Sequence, residues 1–253
     1  PFLVALNLTR RCNQACKHCY LDAGTRQDGT EGELSTDECK ALIGDIASLG
    51  GETMIVLTGG EPLLRPDLDE LARHAADMEL MVVIGSNGMA LDAKRVRRLK
   101  KAGVSGIGIS LDSLDPAYHD AFRGVPGAWA HTMNAIDACR AEGLAYQLHF
   151  SVTDDNAHEL ESMIDFARRS EALVLNVFFL VCTGRGETVT NISAQVYDNV
   201  LRRVTLAAHQ EPELLIRAKC APHFKRMAIE LDPEWPITLA QGYEAGGCLA
   251  GSR

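Results

Sequence analysis

The sequence has 253 residues, enough for one large domain or two small ones, and close to half of them are apolar, as in an ordinary globular protein. A net charge of −9 argues against a nucleic-acid binder, which carries a basic balance or stripe. With no run of about 18 apolar residues, no membrane span is expected.

No secretory leader is visible. Pro1 in place of Met, and a stop at Gly251-Ser252-Arg253 after a glycine-rich stretch, read as a piece of a longer protein. The eight cysteines are too sparse and uneven for an oxidised secreted scaffold. They fit a cytoplasmic protein with metal-binding thiols.

Phe2 to Leu8 (FLVALNL) is a short apolar run and predicts a buried strand. Ser35 to Leu49 has helical spacing, with Ser35 or Thr36 as N-cap and Gly50-Gly51 as the stop. Met54 to Leu57 is a second strand, followed by a helix over Asp67 to Met78. Leu80 to Ile84 makes a third strand, and Asp92 to Ala102 a basic helix closed by Gly103. Strand, helix and strand recur over Gly106 to Leu111, Trp129 to Glu142 and Tyr146 to Val152. A helix over Ala157 to Arg169 and a sixth strand over Val174 to Val181 complete the run. Beyond Thr183 the register changes: helices are expected over Ser193 to His209 and over Leu214 to Glu230, with Pro222 near the middle of the second.

Such alternation implies parallel strands joined by right-handed crossovers, in either an open doubly wound sheet or a barrel. Both place function at the C-terminal ends of the strands. Cys12, Gly59, Ser86, Asp112, Thr153 and Cys182 all fall there, which predicts one shared site.

The loop after the first strand carries Cys12, Cys16 and Cys19. Three thiolates at this spacing converge on a metal centre. Zinc wants a fourth ligand, from His18 or a distant cysteine. An iron–sulfur cube also wants four ligands, so three leave one iron open to a substrate. Three core cysteines are the remaining alternative.

Four segments together resemble the radical S-adenosylmethionine (SAM) enzymes: CNQACKHCY after the first strand, LTGGEPLLR (Leu57 to Arg65) after the second, GSNG (Gly85 to Gly88) after the third, and ISLDSLDPAYHDAFRG (Ile109 to Gly124) at the fourth. The resemblance covers Phe2 to about Val181 and implies a partial (β/α)6 barrel, here residues 1–185. A C-terminal helical and irregular segment, residues 186–253, leads toward an auxiliary-cluster extension.

The same resemblance implies that Cys12, Cys16 and Cys19 hold a [4Fe–4S] cluster whose fourth iron binds SAM. Gly59, Gly60, Glu61 and Pro62 match the motif at the SAM amino group, and Ser110 and Asp112 match residues near its ribose. Ser86 and Asn87 occupy the third strand's site position, and Arg123 the place of a carboxylate partner. His18 and Tyr20 approach the adenine in relatives; Thr153 and Leu180 close the set. A low-potential donor, flavodoxin or ferredoxin, would supply electrons. Phe178 and Phe179 are read as core.

LVCTGRGE (Leu180 to Glu187), KCAPHFKR (Lys219 to Arg226) and GGCLAG (Gly246 to Gly251) resemble the enzymes of the sirohaem-based haem route and their haem d1 relatives. Cys248 then looks like the first cysteine of an auxiliary iron–sulfur cluster of the SPASM or twitch type. Cys220 either joins it or is a plain helix cysteine, and Cys39 and Cys139 are expected in the core. A tetrapyrrole substrate carries carboxylates, for which Arg10, Arg11, His149, Arg185, Arg217, Lys219 and His223 are candidate partners, or else solvated surface. A peptide or cofactor maturase with the same core and a non-catalytic zinc module are the alternatives.

Overall fold

The computed structural model describes residues 2–24, 32–50, 52–181, 183–188, 192–211 and 213–235. Cys182 and Cys248, with the whole Gly246 to Gly251 stretch, lie outside the described residues. Seven strands alternate with helices: β1 Phe2–Asn7, α1 Thr36–Ala47, β2 Thr53–Thr58, α2 Leu68–Asp77, β3 Met81–Ser86, α3 Ala93–Lys101, β4 Val104–Ser110, α4 Pro116–Arg123, α5 Ala128–Glu142, β5 Ala145–Val152, α6 Leu160–Arg169, β6 Val174–Phe179, α7 Ala194–Gln210, β7 Leu215–Lys219 and α8 Phe224–Leu231. None of these helices is long and apolar enough to cross a membrane.

All strands are parallel, and the sheet runs β1-β2-β3-β4-β5-β6-β7 without reversal. That order decides between the two closures left open by periodicity. A doubly wound sheet reverses its strand order at a switch point. An order that never reverses, with right-handed crossovers, puts every helix on one face and bends the sheet around the other. The result is a partial barrel.

Alternation along each strand follows from this layering. Ile55, Leu57, Ile84, Ile107, Leu148, Phe150 and Val177 face the helices and are buried. Each such side chain stabilises the fold by about 1.5–3 kcal/mol. The opposite face carries Asn7, Thr58, Gly85, Gly108, His149, Asn176 and Arg217, a polar lining that the apolar runs of the sequence do not advertise.

Local signals place the helix ends. Ser35 caps α1 in a reciprocal box with Glu38. Asp92 accepts from the Arg95 amide at 2.6 Å to start α3. Gly143 ends α5 in the left-handed conformation.

Three expectations need correction. The first strand, expected to be buried, lies at the edge of the sheet with Phe2 and Leu3 exposed. The helix expected over Leu214 to Glu230 is instead β7, a turn and α8. Pro222 lies in the turn, where it lacks an amide hydrogen to continue a helix. Ile216 packs on the helix side of the sheet while Arg217 and Lys219 face inward, and two charges in five residues mimic an amphipathic helix. The segment after residue 185 therefore adds a seventh strand to the six expected. The motif at the fourth strand also contains a helix, α4, started by the Asp115 side chain accepting from the Ala117 amide with Pro116 in the first turn.

Candidate functional site

The chain leaves β1 at Leu8 and enters the cysteine loop with its path already tied down. The Arg65 guanidinium donates to the Leu8 carbonyl at 2.8 Å and to the Leu34 carbonyl at 3.1 Å, while gripping Asp67. That grip pulls the Asp67 carboxyl down to about 2. Next, residues 9–11 run against the end of β2: the Gly60 amide donates to the Thr9 carbonyl at 2.7 Å and the Glu61 amide to the Arg11 carbonyl at 2.8 Å. A Cβ on Gly60 would stand 2.3 Å from the Arg11 carbonyl oxygen, and one on Gly59 would stand 2.5 Å from that of Thr9. These two glycines are therefore demanded by the neighbouring backbone, before any ligand is considered.

Glu61 is fully buried, and its carboxylate is taken up by the chain itself. It accepts from the Leu63 amide at 3.0 Å, the Ser86 hydroxyl at 3.0 Å and the Asn87 amide at 2.8 Å. Burial nevertheless pushes its carboxyl up to about 7. Glu61 thus fastens the end of β2 to the end of β3. Asn87 continues the chain of contacts: its side-chain amide donates to the Asn13 oxygen at 2.7 Å and lies 3.7 Å from the Cys12 sulfur.

The end of β4 supplies a buried ion pair. Arg123, the last residue of α4, donates through Nε to Asp112 at 2.6 Å and through its second terminal nitrogen at 2.5 Å. Its remaining terminal nitrogen lies 3.8 Å from the Cys16 sulfur. Burial alone would raise the Asp112 carboxyl, but the Arg123 charge, His18, His119 and the Ser151 amide together outweigh burial and hold the group below the usual range. Asp112 also accepts from the Ser151 amide at 3.0 Å, which joins β4 to β5.

The carbonyls at the end of α4 receive the cysteine loop, from Lys17 to Phe122 at 3.0 Å and from Ala15 to Arg123 at 3.1 Å. Gly124 turns away in the left-handed region, where a Cβ would meet the Ala15 carbonyl oxygen at 2.7 Å. His18 stacks on Phe122 with ring centroids 4.5 Å apart. Burial lowers its imidazole to about 4, so it is neutral near pH 7.

Each thiol is offered at least one N–H: Asn87 and the Gln14 amide at Cys12, Arg123 at Cys16, and the Ala23 amide at Cys19, 3.4 Å away. Burial pushes the Cys12 thiol up to about 11 and raises Cys16. Both hold their protons at neutral pH until a metal displaces them. Gln14 Nε2 and His18 Nδ1, in the same loop, are buried with no partner among the described residues. Among those residues no three His, Cys, Asp or Glu groups are gathered tightly enough to hold a single metal ion. A cube whose irons each take one thiolate needs no such convergence. The donor set therefore fits a [4Fe–4S] cluster held at three corners.

Other expected site residues divide. Thr153 is buried and bonded to the Tyr118 hydroxyl at 2.9 Å. Ser110 sits on the inner face opposite His149. Leu180 is half-buried and follows β6, Pro62 is buried, and Tyr20 is 62% exposed, its hydroxyl 3.4 Å from Asn7. Cys220 is exposed in the turn after β7. Cys39 and Cys139 are core residues of α1 and α5, as expected. Arg185, a candidate carboxylate partner, instead braces the cysteine loop: it donates to the Cys16 carbonyl at 3.0 Å and to Asp22 at 2.9 Å. Arg10 donates to the Leu21 carbonyl at 3.3 Å, and Arg11 lies 3.9 Å from Glu33.

Sequence reasoning missed Arg65 as an anchor, and it missed Asn156. Asn156 is fully buried; it donates to the Asp112 and Ser151 carbonyls at 2.8 and 2.9 Å and accepts from the Thr153 amide at 2.7 Å. Nothing in its polar surroundings, TDDNAHE, distinguishes it from a loop residue.

Several known proteins are similar to this chain. The family model described as the radical SAM superfamily matches residues 6–167. The chain is 36% identical to the AdoMet-dependent heme synthase of Methanosarcina barkeri, over 100% of its own length and 72% of that protein's. It is also 36% identical to the Fe-coproporphyrin III synthase of the same organism, over 98% of its length and 66% of that protein's. Among solved structures, SuiB of Streptococcus suis bound to its precursor peptide SuiA has a similar fold, with a TM-score of 0.75 at 16% identity. That match covers 91% of this chain and 51% of the SuiB chain, so the chain spans about half the length of that enzyme.

Proposed function

The chain belongs to the radical SAM superfamily, and on that premise we propose that it modifies the side chains of a tetrapyrrole, by decarboxylation or side-chain removal. Cys12, Cys16 and Cys19 would hold the [4Fe–4S] cluster. When bound, cluster and SAM supply a 5′-deoxyadenosyl radical that takes a hydrogen atom from the substrate.

The chain's own residues orient and seal that chemistry. Arg123 stands beside the Cys16 sulfur as a fixed positive charge, which favours thiolate over thiol, while its other two nitrogens are taken up by Asp112. The Ser110 hydroxyl, on the inner face one strand from His149, is placed to bond a ribose hydroxyl. Glu61 acts differently from a direct acceptor for the SAM ammonium: its carboxylate is occupied, and it positions the Gly59-Gly60 backbone beside the loop. Buried Phe122 and neutral His18 exclude water from one side of the thiols. Electrons come from a low-potential donor of the flavodoxin or ferredoxin kind. Auxiliary clusters belong to sequence beyond the described residues, around Cys248.

The single observation behind this reading is the locking of the cysteine loop to the ends of β2, β3 and β4 through Gly60, Asn87 and Arg123. A tetrapyrrole is favoured over a peptide by the named activities of the relatives that share more than a third of its residues. The test is anaerobic incubation of the reconstituted full-length protein with SAM, dithionite and either Fe-coproporphyrin III or didecarboxysirohaem. Release of 5′-deoxyadenosine is expected, with loss from the tetrapyrrole of carbon dioxide and two hydrogens for each decarboxylated side chain, or of the whole side chain where it is removed. In decarboxylation one hydrogen atom goes to the deoxyadenosyl radical, one proton to solvent and one electron to an acceptor. Unchanged tetrapyrroles together with modification of a peptide encoded nearby would replace this reading by a peptide maturase.

A further inference from the structure

The inner face of the sheet changes character along its length. On β3 and β4 it presents Gly85, Gly106 and Gly108, with the His149 ring lying over Gly108. On β5 to β7 it becomes basic and polar. Arg217 pairs in register with Asn176, which pairs with His149; Lys219 pairs with Phe178, which pairs with Ser151. Ile216, just before the two cations and in step with Ala218 between them, is 3% exposed on the helix side, so Arg217 and Lys219 point the other way, into the partial barrel. Both are half-buried. Neither side chain forms a hydrogen bond or ion pair with any described residue, although the chain as a whole has a net charge of −9.

Asn176 gives an independent sign of a missing ligand. It is 2% exposed, its side-chain nitrogen donates to the Gln147 oxygen at 2.7 Å, and its own oxygen is buried with no partner among the described residues. Turning both amides by half a rotation keeps their mutual bond and converts the vacant acceptor into a donor. The same wall can thereby meet an anion with one amide and two cations. Burial, together with Arg217, lowers the Lys219 ammonium, and burial with Arg123 and Lys219 lowers the His149 imidazole to about 4. These are strains that an incoming negative charge relieves. Residues two apart on one strand are about 7 Å apart, so Arg217 and Lys219 can hold two separate carboxylates on one edge of a ligand.

We propose that Arg217 and Lys219, with Asn176 beside them, form the subsite that anchors the carboxylate side chains of a polycarboxylated macrocycle, the glycine-faced strands β3 and β4 leaving room for its flat body. The assignment rests on the tetrapyrrole reading above and adds which residues select the substrate. Arg185 is committed to the cysteine loop, and Arg10 and Arg11 lie on that loop against Leu21 and Glu33, on the far edge of the sheet from β7.

Binding tests it without turnover. Fe-coproporphyrin III and its tetramethyl ester are titrated anaerobically into the full-length, cluster-reconstituted protein, following the porphyrin absorbance. Wild type, Arg217→Gln, Lys219→Gln and Arg217→Lys are compared, with a thermal melt of each to confirm folding. Wild type should prefer the free acid. Arg217→Gln and Lys219→Gln should each weaken the acid by about tenfold or more, leaving the ester unchanged, and Arg217→Lys should recover most of the loss. Equal binding of acid and ester by wild type, or wild-type affinity for the acid in folded Arg217→Gln and Lys219→Gln, overturns the anchor while leaving the tetrapyrrole reading standing. Failure of wild type to bind either probe removes the tetrapyrrole reading and the anchor with it. If Arg217→Gln does not fold, Lys219→Gln decides alone.

Discussion

Replacing Arg123 by Gln should be among the most damaging single changes in the chain. Its two nitrogens hold Asp112 at 2.6 and 2.5 Å, and the two side chains are 7% and 0% exposed. Without the guanidinium, Asp112 keeps the Ser151 amide but has no counter-charge. Breaking a buried pair in this way costs about 3–5 kcal/mol, most of it the penalty of the abandoned charge. For a chain of this size that lowers Tm by roughly 6–20 °C.

The pH dependence sharpens the test. In wild type the Asp112 carboxyl is held below its ordinary value, so its contribution is present above about pH 4 and is lost as pH falls through the folded value. In the variant burial is opposed only by the Ser151 amide and the neighbouring histidines, so the folded carboxyl rises and its contribution shrinks as pH rises. The gap between the two proteins should therefore be widest near neutral pH and narrow toward pH 4. Urea unfolding of metal-free, reduced protein at several pH values measures it. The Asp112→Asn, Arg123→Gln double variant should recover at least about 2 kcal/mol relative to the sum of the single changes. A loss under about 1 kcal/mol in Arg123→Gln at pH 7, with no pH dependence of the gap, would refute the argument.

Gly60→Ala puts a methyl group 2.3 Å from the Arg11 carbonyl oxygen and should cost about 1–3 kcal/mol or more, with poor iron incorporation on reconstitution. Gly127→Ala, where φ is +80° but no atom lies within 4 Å, should cost only about 1–2 kcal/mol and take up iron normally, as iron and sulfide assays would show. Glu61 has its folded carboxyl raised to about 7, so its contribution is complete below about pH 4.3 and declines as pH rises through 7. Glu61→Gln, which turns an N–H toward the Asn87 amide, should be about 1–3 kcal/mol less stable at pH 5 and should lose the declining slope between pH 5 and 8 in urea titrations.

Much of the architecture was written locally. The six strands through Phe179 and the five expected helices between them follow from apolar runs broken by capping residues such as Ser35, Asp92 and Gly143, each acting within a few residues of itself. The choice of barrel over doubly wound sheet was not, because strand order depends on which distant segments pair. β7 hid for a related reason: its inward face is charged and only Ile216 and Ala218 face the helices, so the hydrophobic pattern has too little to work with. At the site, residue types were readable while their obligations were not. Glu61, Asn87 and Arg185 look like free ligand groups in the sequence, yet their polar atoms bond segments that lie 26, 74 and 169 positions away. Asn156 shows the reverse, a loop residue whose importance exists only after β4 and β5 have met.

Among the described residues β1 and β7 each have a neighbour on one side only, so the sheet is an arc and not a ring. A ring's radius is set once its strand number and stagger are chosen. An arc carries no such condition, and its two lips can spread or approach by a slight change in coiling that breaks no ladder bond. Arg217 and Lys219 ride on one lip, and the cysteine loop springs from the other. The width of the mouth is thus an adjustable dimension, and a broad, rigid guest can be gripped from both sides by the flexing of a single surface.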